Sequence, residues 1–192
     1  MDTQAMGDFL GPMFQVVAGD AARAFEALGL DAGKKVLDVG TGSGHCAIYL
    51  AARGCDVVTG EPADDGSMYA RRDWEARAEQ VGVRDRIRFQ SFDASAMPFE
   101  SGSFDAVFLF GMLHHVREDS RAGVMREALR VVKGDGPVVF FEPGEATLEL
   151  VRQNDPSHPD AANPGDYTSP GEAREQRLDG AWMKIYVYRK PQ

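Results

Sequence analysis

The stretch 35–44, KVLDVGTGSG, constrains this 192-residue chain more than any other part of it. Val36, Leu37 and Val39, interrupted only by Asp38, form a short apolar run of the kind buried on both faces of a parallel sheet. Gly40, Gly42 and Gly44 then alternate with Thr41 and Ser43, so the backbone can take positive φ and approach a ligand with no Cβ in the way. Residues 45–53 place Ile48, Leu50 and Ala51 where a helix laid on a sheet would bury them, and Gly54 is its stop. Strand, glycine turn and helix N-terminus together predict a nucleotide-type site at the carboxyl end of a central strand.

Two details bear on the ligand. A dinucleotide fingerprint requires a third glycine where this chain has His45, which counts against NAD. Asp38, just before the glycines, would repel a phosphate and suit an ammonium group, which favours a ligand with an amino-acid end. DVGTGSG resembles the DxGxGxG signature of class I S-adenosylmethionine (SAM) dependent methyltransferases, and the resemblance runs from about residue 34 to the C-terminus. It implies one SAM-dependent methyltransferase domain over residues 1–192, with a catalytic core from 34 onward and a helical cap or lid over 1–33. The implied fold is a Rossmann-like, seven-stranded mixed α/β sheet: five parallel strands, then an antiparallel C-terminal hairpin, with helices on both faces.

Composition narrows the partners. With 21 Lys+Arg against 30 Asp+Glu, the net charge of -9 offers no general attraction to a phosphate backbone, and nucleic acid is disfavoured as a substrate. No long uncharged apolar run is present, so no membrane span and a cytoplasmic protein, monomer or homodimer, are expected. The two cysteines, Cys46 and Cys55, fit no zinc spacing and read as small buried hydrophobes. His114 and His115 are adjacent and would point apart on most backbones, so no metal is expected.

The rest of the chain follows in order. Residues 1–30 predict two helices separated near Gly19 and Asp20, with Asp20 capping the second. Phe9, Met13 and Phe14 are lid residues by resemblance and packing residues by periodicity. Strand two, residues 56–60, ends at Glu61, about twenty residues past the glycine loop, where such folds offer an acid to ribose hydroxyls. A helix is expected from Met68 to about Val81, mostly solvated, with Tyr69, Arg71, Arg72 and Trp74 as candidates to overhang the cleft. Residues 87–92 alternate as strand three. Asp93 follows, and by resemblance it accepts from an adenine amino group while the backbone of Ala94 meets the ring; N-capping is its competing role.

Residues 104–110 are a central strand whose end, GMLHHV, lies above the glycine loop, with Phe110 and Met112 as walls of the adenosine site. The LHH ending resembles family members acting on small molecules or their carriers, and the Asn-Pro-Pro-Tyr type of motif is missing. Residues 120–132 predict a helix, 137–142 a fifth strand with Glu142 at its end, and the following EATLELVRQ an outer helix. Residues 154–171, with four prolines, predict an irregular loop in which His158 is exposed. A hairpin of 173–178 and 182–189 closes on Asp179-Gly180.

Methyl transfer is an in-line displacement that mainly needs alignment and exclusion of water. An acceptor that must lose a proton needs a base, and His115 or His114 could serve near neutral pH. The cofactor site expected by resemblance and chemistry comprises Asp38, Gly40, Thr41, Gly42, Gly44, Glu61, Asp93, Ala94 and Phe110. The acceptor is expected to be a small molecule. Three alternatives stay open: a protein or RNA methyltransferase, a SAM-binding module without turnover, and an NAD-linked oxidoreductase.

Overall fold

In the computed structural model, which describes residues 3–66, 70 and 73–191, the apolar runs become five parallel strands. These are β1 (Lys35–Val39), β2 (Asp56–Gly60), β3 (Ile87–Phe89), β4 (Ala106–Phe110) and β5 (Val138–Pro143). A hairpin of β6 (Arg174–Asp179) and β7 (Met183–Arg189) adds to the β5 edge, with β7 antiparallel to β5. The order is β3-β2-β1-β4-β5-β7-β6, the seven-stranded mixed sheet that the sequence implied. The order reverses between β1 and β4, which places the glycine loop at the switch point where such sheets open a crevice.

Alternation along each strand divides the core between two faces. Val36, Val57, Phe108 and Val139 pack with α2 (Pro12–Ala27) and α3 (His45–Ala52), while Leu37, Val107, Leu109 and Phe140 pack with α5 (Glu118–Val131). Apolar side chains cover both faces, which is why the central strands read as near-continuous hydrophobic runs. The outer helix α6 (Glu145–Arg152) buries none of its residues, and β3 stops at Phe89, three residues short of the expected end.

The N-terminal helices break elsewhere than expected. Helix α1 (Thr3–Leu10) stops before Gly11, whose φ of 86° is outside the helical range, and Pro12 opens α2 at a position where its missing N–H costs nothing. Gly19 and Asp20 lie inside α2 because Asp20 has a tertiary role. Fully buried, its carboxylate accepts from the backbone N–H groups of Ala181 (2.6 Å), Trp182 (2.9 Å) and Met183 (2.8 Å).

The same contact reshapes the hairpin. Asp179, the last residue of β6, pairs with Lys184, so four residues, Gly180 to Met183, lie between the closing pair rather than the two-residue Asp179-Gly180 turn expected from sequence. Of the amides in this connection, Asp20 takes those of Ala181, Trp182 and Met183.

Removing this acceptor strands three turn amides. Asp20→Ala is expected to lower the unfolding free energy by about 3 kcal/mol, read by urea titration, with a fall in Tm of roughly 10 °C. The exposed Asp179→Ala in the same hairpin should stay within about 0.5 kcal/mol of the parent.

Candidate functional site

The glycine loop is built from the expected residues. Gly40, Gly42 and Gly44 have φ of 92°, 47° and 75°. Gly44 is the residue before α3, and a Cβ there would lie 2.6 Å from the Cβ of Trp74, so both its backbone and its neighbour demand glycine. Trp74 opens the short helix α4 (Trp74–Gln80). It is buried beneath the loop, stacked on Phe89 with ring centroids 6.2 Å apart, and Arg84 lies 4.8 Å over it. It therefore supports the loop and does not overhang it from a solvated helix. Tyr69, Arg71, Arg72 and the expected helix start at Met68 lie outside the described residues.

Three carboxylates sit at the carboxyl ends of the adjacent strands β1, β2 and β3. Asp38 is 1 % exposed and alternates to the α3 side of the sheet. Its Oδ2 accepts from the Thr59 hydroxyl at 2.7 Å; because that proton is committed, the Thr41 hydroxyl 2.9 Å away must donate to Thr59. Asp38 Oδ1 is buried without a hydrogen-bond partner among the described residues. Burial raises the Asp38 pKa to about 7, opposed by the Thr59 hydrogen bond and the neighbouring Cys46 thiol and reinforced by the nearby Glu61. Thr59 was not singled out in the sequence, although its place opposite Asp38 in the β1–β2 register explains a polar residue in an apolar strand.

Glu61 follows β2, is buried, and accepts the Gly42 N–H at 2.9 Å, which ties the acid to the glycine loop. Asp93 lies beyond β3 and is exposed. Its Oδ1 accepts from the backbone N–H (2.7 Å) and hydroxyl (2.8 Å) of Ser95, the local capping role weighed from sequence, while Ala94 is buried.

His45, in place of a third glycine, begins α3. Phe14 meets its ring edge-on at 5.9 Å, and its Nε2 is buried without a hydrogen-bond partner among the described residues. Desolvation, with Arg77 nearby, lowers its pKa to about 4. Phe14 is thus a packing residue on the α3 side, whereas Phe9 and Met13 are 57 % and 58 % exposed.

Across the switch point, Phe110 stacks on Phe141 at 4.6 Å, and a Cβ on Gly40 would meet the Met112 Cβ at 3.1 Å. A 3-10 turn, Leu113–His115, follows, and it corrects the expectation that the two histidines diverge: their ring centroids are 4.2 Å apart. His158, expected to be exposed, is buried with its ring 5.0 Å from each of them. Buried Glu142 joins the groups, its Oε2 accepting from His114 Nδ1 at 2.8 Å and from the Ala162 N–H at 2.9 Å. Desolvation and the imidazoles of His114 and His158 hold the His115 pKa down to about 4, so this ring is neutral at pH 7 although part of it reaches solvent. Desolvation also lowers the pKa of His158.

A glycine loop at the switch point, with acids on neighbouring strand tips and an antiparallel strand beside β5, defines a class I methyltransferase-type architecture. The comparisons agree with this reading. The family described as "Methyltransferase domain" matches residues 37–140, and the chain belongs to it. The 27-O-demethylrifamycin SV methyltransferase of Amycolatopsis mediterranei is 36 % identical over 126 residues, 64 % of this chain and 44 % of that protein. The demethylmenaquinone methyltransferase of Clavibacter sepedonicus is 33 % identical over 122 residues, 64 % of this chain and 46 % of that protein. Among solved structures, the YcgJ protein of Bacillus subtilis superposes with a TM-score of 0.68 at 18 % identity, covering 90 % of this chain and 99 % of that one, which shows the shared fold. The chain spans under half the length of these two curated relatives.

Two outcomes follow from this geometry. Gly44→Ala is expected to destabilise the fold by about 2–3 kcal/mol through positive φ and the clash with Trp74, measured by denaturant unfolding. The raised pKa of Asp38 means that the folded state holds a proton the unfolded state has released, so its contribution to stability falls as pH rises from about 4 to about 7 and then levels. His45 acts oppositely, losing stability as pH drops from 6.5 to about 4. The stability of the parent relative to Asp38→Asn should therefore decline across pH 4 to 7, by on the order of a few kcal/mol, which removes the His45 contribution from the comparison.

Proposed function

We propose that the chain is a SAM-dependent methyltransferase acting on a small-molecule acceptor. The observation that carries this reading is the positive-φ glycine loop flanked by buried Asp38 in β1 and buried Glu61 after β2, with Asp93 following the next strand, β3. The residues fit the cofactor. Asp38 presents a buried carboxylate oxygen that lacks a hydrogen-bond partner among the described residues, the kind of group an ammonium would neutralise, and glycine backbone lets a ligand approach it. Glu61, already anchored to Gly42, suits the ribose hydroxyls, and Asp93 with Ala94 suits the adenine edge. Thr41 and Phe110 complete the set.

When bound, SAM supplies an electrophilic methyl group together with its own leaving group, a neutral thioether. What remains for the chain is to orient the acceptor, exclude water and, for an acceptor that must lose it, take a proton. That proton falls to His114 or His115 beyond β4. His114 is oriented by Glu142, in the arrangement of a base held by a carboxylate, while desolvation holds the pKa of His115 down to about 4. Helices α1 and α2 form the cap, with the exposed Phe9 and Met13 as its apolar lid surface. The two relatives are named for small-molecule acceptors, and the net charge of -9 supports the same class over nucleic acid. Two buried free thiols, and no helix among the described residues long and apolar enough to cross a membrane, support a cytoplasmic setting.

Calorimetric titration tests the reading. SAM and S-adenosylhomocysteine should bind and NAD should not; Glu61→Gln and Asp38→Asn should each weaken SAM by roughly 10- to 100-fold. Because an ammonium beside Asp38 lowers its raised pKa, SAM binding near pH 6.5 should release protons in the parent but not in Asp38→Asn, seen by repeating the titration in buffers of different ionisation enthalpy. Binding of NAD alone would overturn the assignment.

A further inference from the structure

We propose that His114, His115 and His158 form a three-imidazole binding site for a divalent first-row cation, Zn2+ above all, with Glu142 as the positioning residue behind His114. One ring nitrogen from each histidine lies within 4.8 Å of the other two. Tetrahedral Zn2+ with Zn–N of about 2.0–2.1 Å sets its nitrogens about 3.3 Å apart, so small ring rotations close the cluster onto an ion. The rings are mutually inclined, at 45°, 48° and 85°, which suits convergence on a tetrahedral centre better than on a square plane.

The surroundings orient the ligands in the way metal sites require. The Nδ1–H of His114 donates to Glu142 Oε2 at 2.8 Å, and that of His158 donates to the carbonyl of Pro159 at 3.0 Å. In both rings the partner engages Nδ1 and so fixes the tautomer, the arrangement seen behind metal-ligating histidines. Arginines hold the two backbones in place. Arg121 donates to the His114 carbonyl (3.2 Å) and the Tyr167 hydroxyl (2.8 Å), and Arg152 donates to the His158 carbonyl through Nε (3.1 Å) and Nη2 (3.0 Å). Glu142 Oε2 also accepts the Ala162 N–H, so a single carboxylate joins the loop carrying His158 to the turn carrying the other two histidines. Glu142 is fully buried and its Oε1 lacks a hydrogen-bond partner among the described residues, so a cation on the other side of His114 would compensate a carboxylate that is otherwise costly to bury. Three imidazoles leave a fourth position for water or an oxygen of the acceptor, in place of a proton-accepting ring.

An ion here would occupy the rings of His114 and His115 that the methyl-transfer reading offers as a base, whereas cofactor binding at the glycine loop does not involve them, so the two can fail separately. The test uses the full chain without a polyhistidine tag, stripped with chelator and titrated with Zn2+ and with Co2+. One equivalent of each should bind, and Co2+ should give the intense visible absorption of a four-coordinate site. His115→Ala, at the exposed position, and His158→Ala should weaken Zn2+ by at least about 100-fold, and Glu142→Gln by about 10- to 100-fold, with far-UV circular dichroism unchanged for His115→Ala. No stoichiometric binding, or binding that survives both histidine substitutions, would overturn the proposal. SAM titration of the metal-free protein reports on the cofactor site independently.

Discussion

Everything at the glycine loop depends on a carboxylate kept inside an apolar sheet. Asp38 sits in β1 between Leu37 and Val39, where burial alone would drive it to the neutral form. The sheet offsets part of that cost through Thr59 on the neighbouring strand and, behind it, Thr41 in the loop, so one short chain of hydroxyls links β1, β2 and the glycine turn. Glu61, holding the Gly42 amide, closes the same circuit from the other side. The loop is thus held by acids beneath and beside it, and its glycines are free to curve because side chains elsewhere supply the order.

Much of this was legible in the sequence because the signals were local. The VLDV run, the alternating glycines and the acid about twenty residues on are each short-range patterns with a physical cause, and they locate β1, α3 and the tip of β2 within a residue or two. Periodicity and the Asp179-Gly180 turn signal located the strands and the hairpin, while their parallel and antiparallel arrangement was what the family resemblance implied. The capping role weighed for Asp93 was legible too, because its bonds to Ser95 span only two residues.

What sequence could not give were interactions made across the fold. Asp20 looked like a helix cap because its partners, 161 to 163 residues away, are backbone amides with no signature of their own. The same holds for His158: proline content argued for an exposed loop, but Glu142 and Arg152 draw that loop onto the histidine turn. Adjacent His114 and His115 were expected to diverge, as they would on a strand; a tight 3-10 turn brings their rings together instead. Trp74 misled for a related reason, since its charged flanks suggest solvent while Gly44 opens the space it fills.

The clamp between Asp20 and the hairpin also bears on how the domain is made. A ribosome releases α2 long before it releases residues 181–183, so during synthesis this carboxylate waits, solvated, for amides that do not yet exist outside the exit tunnel. The first helices can dock on the emerging sheet but cannot be latched until the β6–β7 hairpin arrives, which ties Asp20 of α2 to a segment made 161 to 163 residues later.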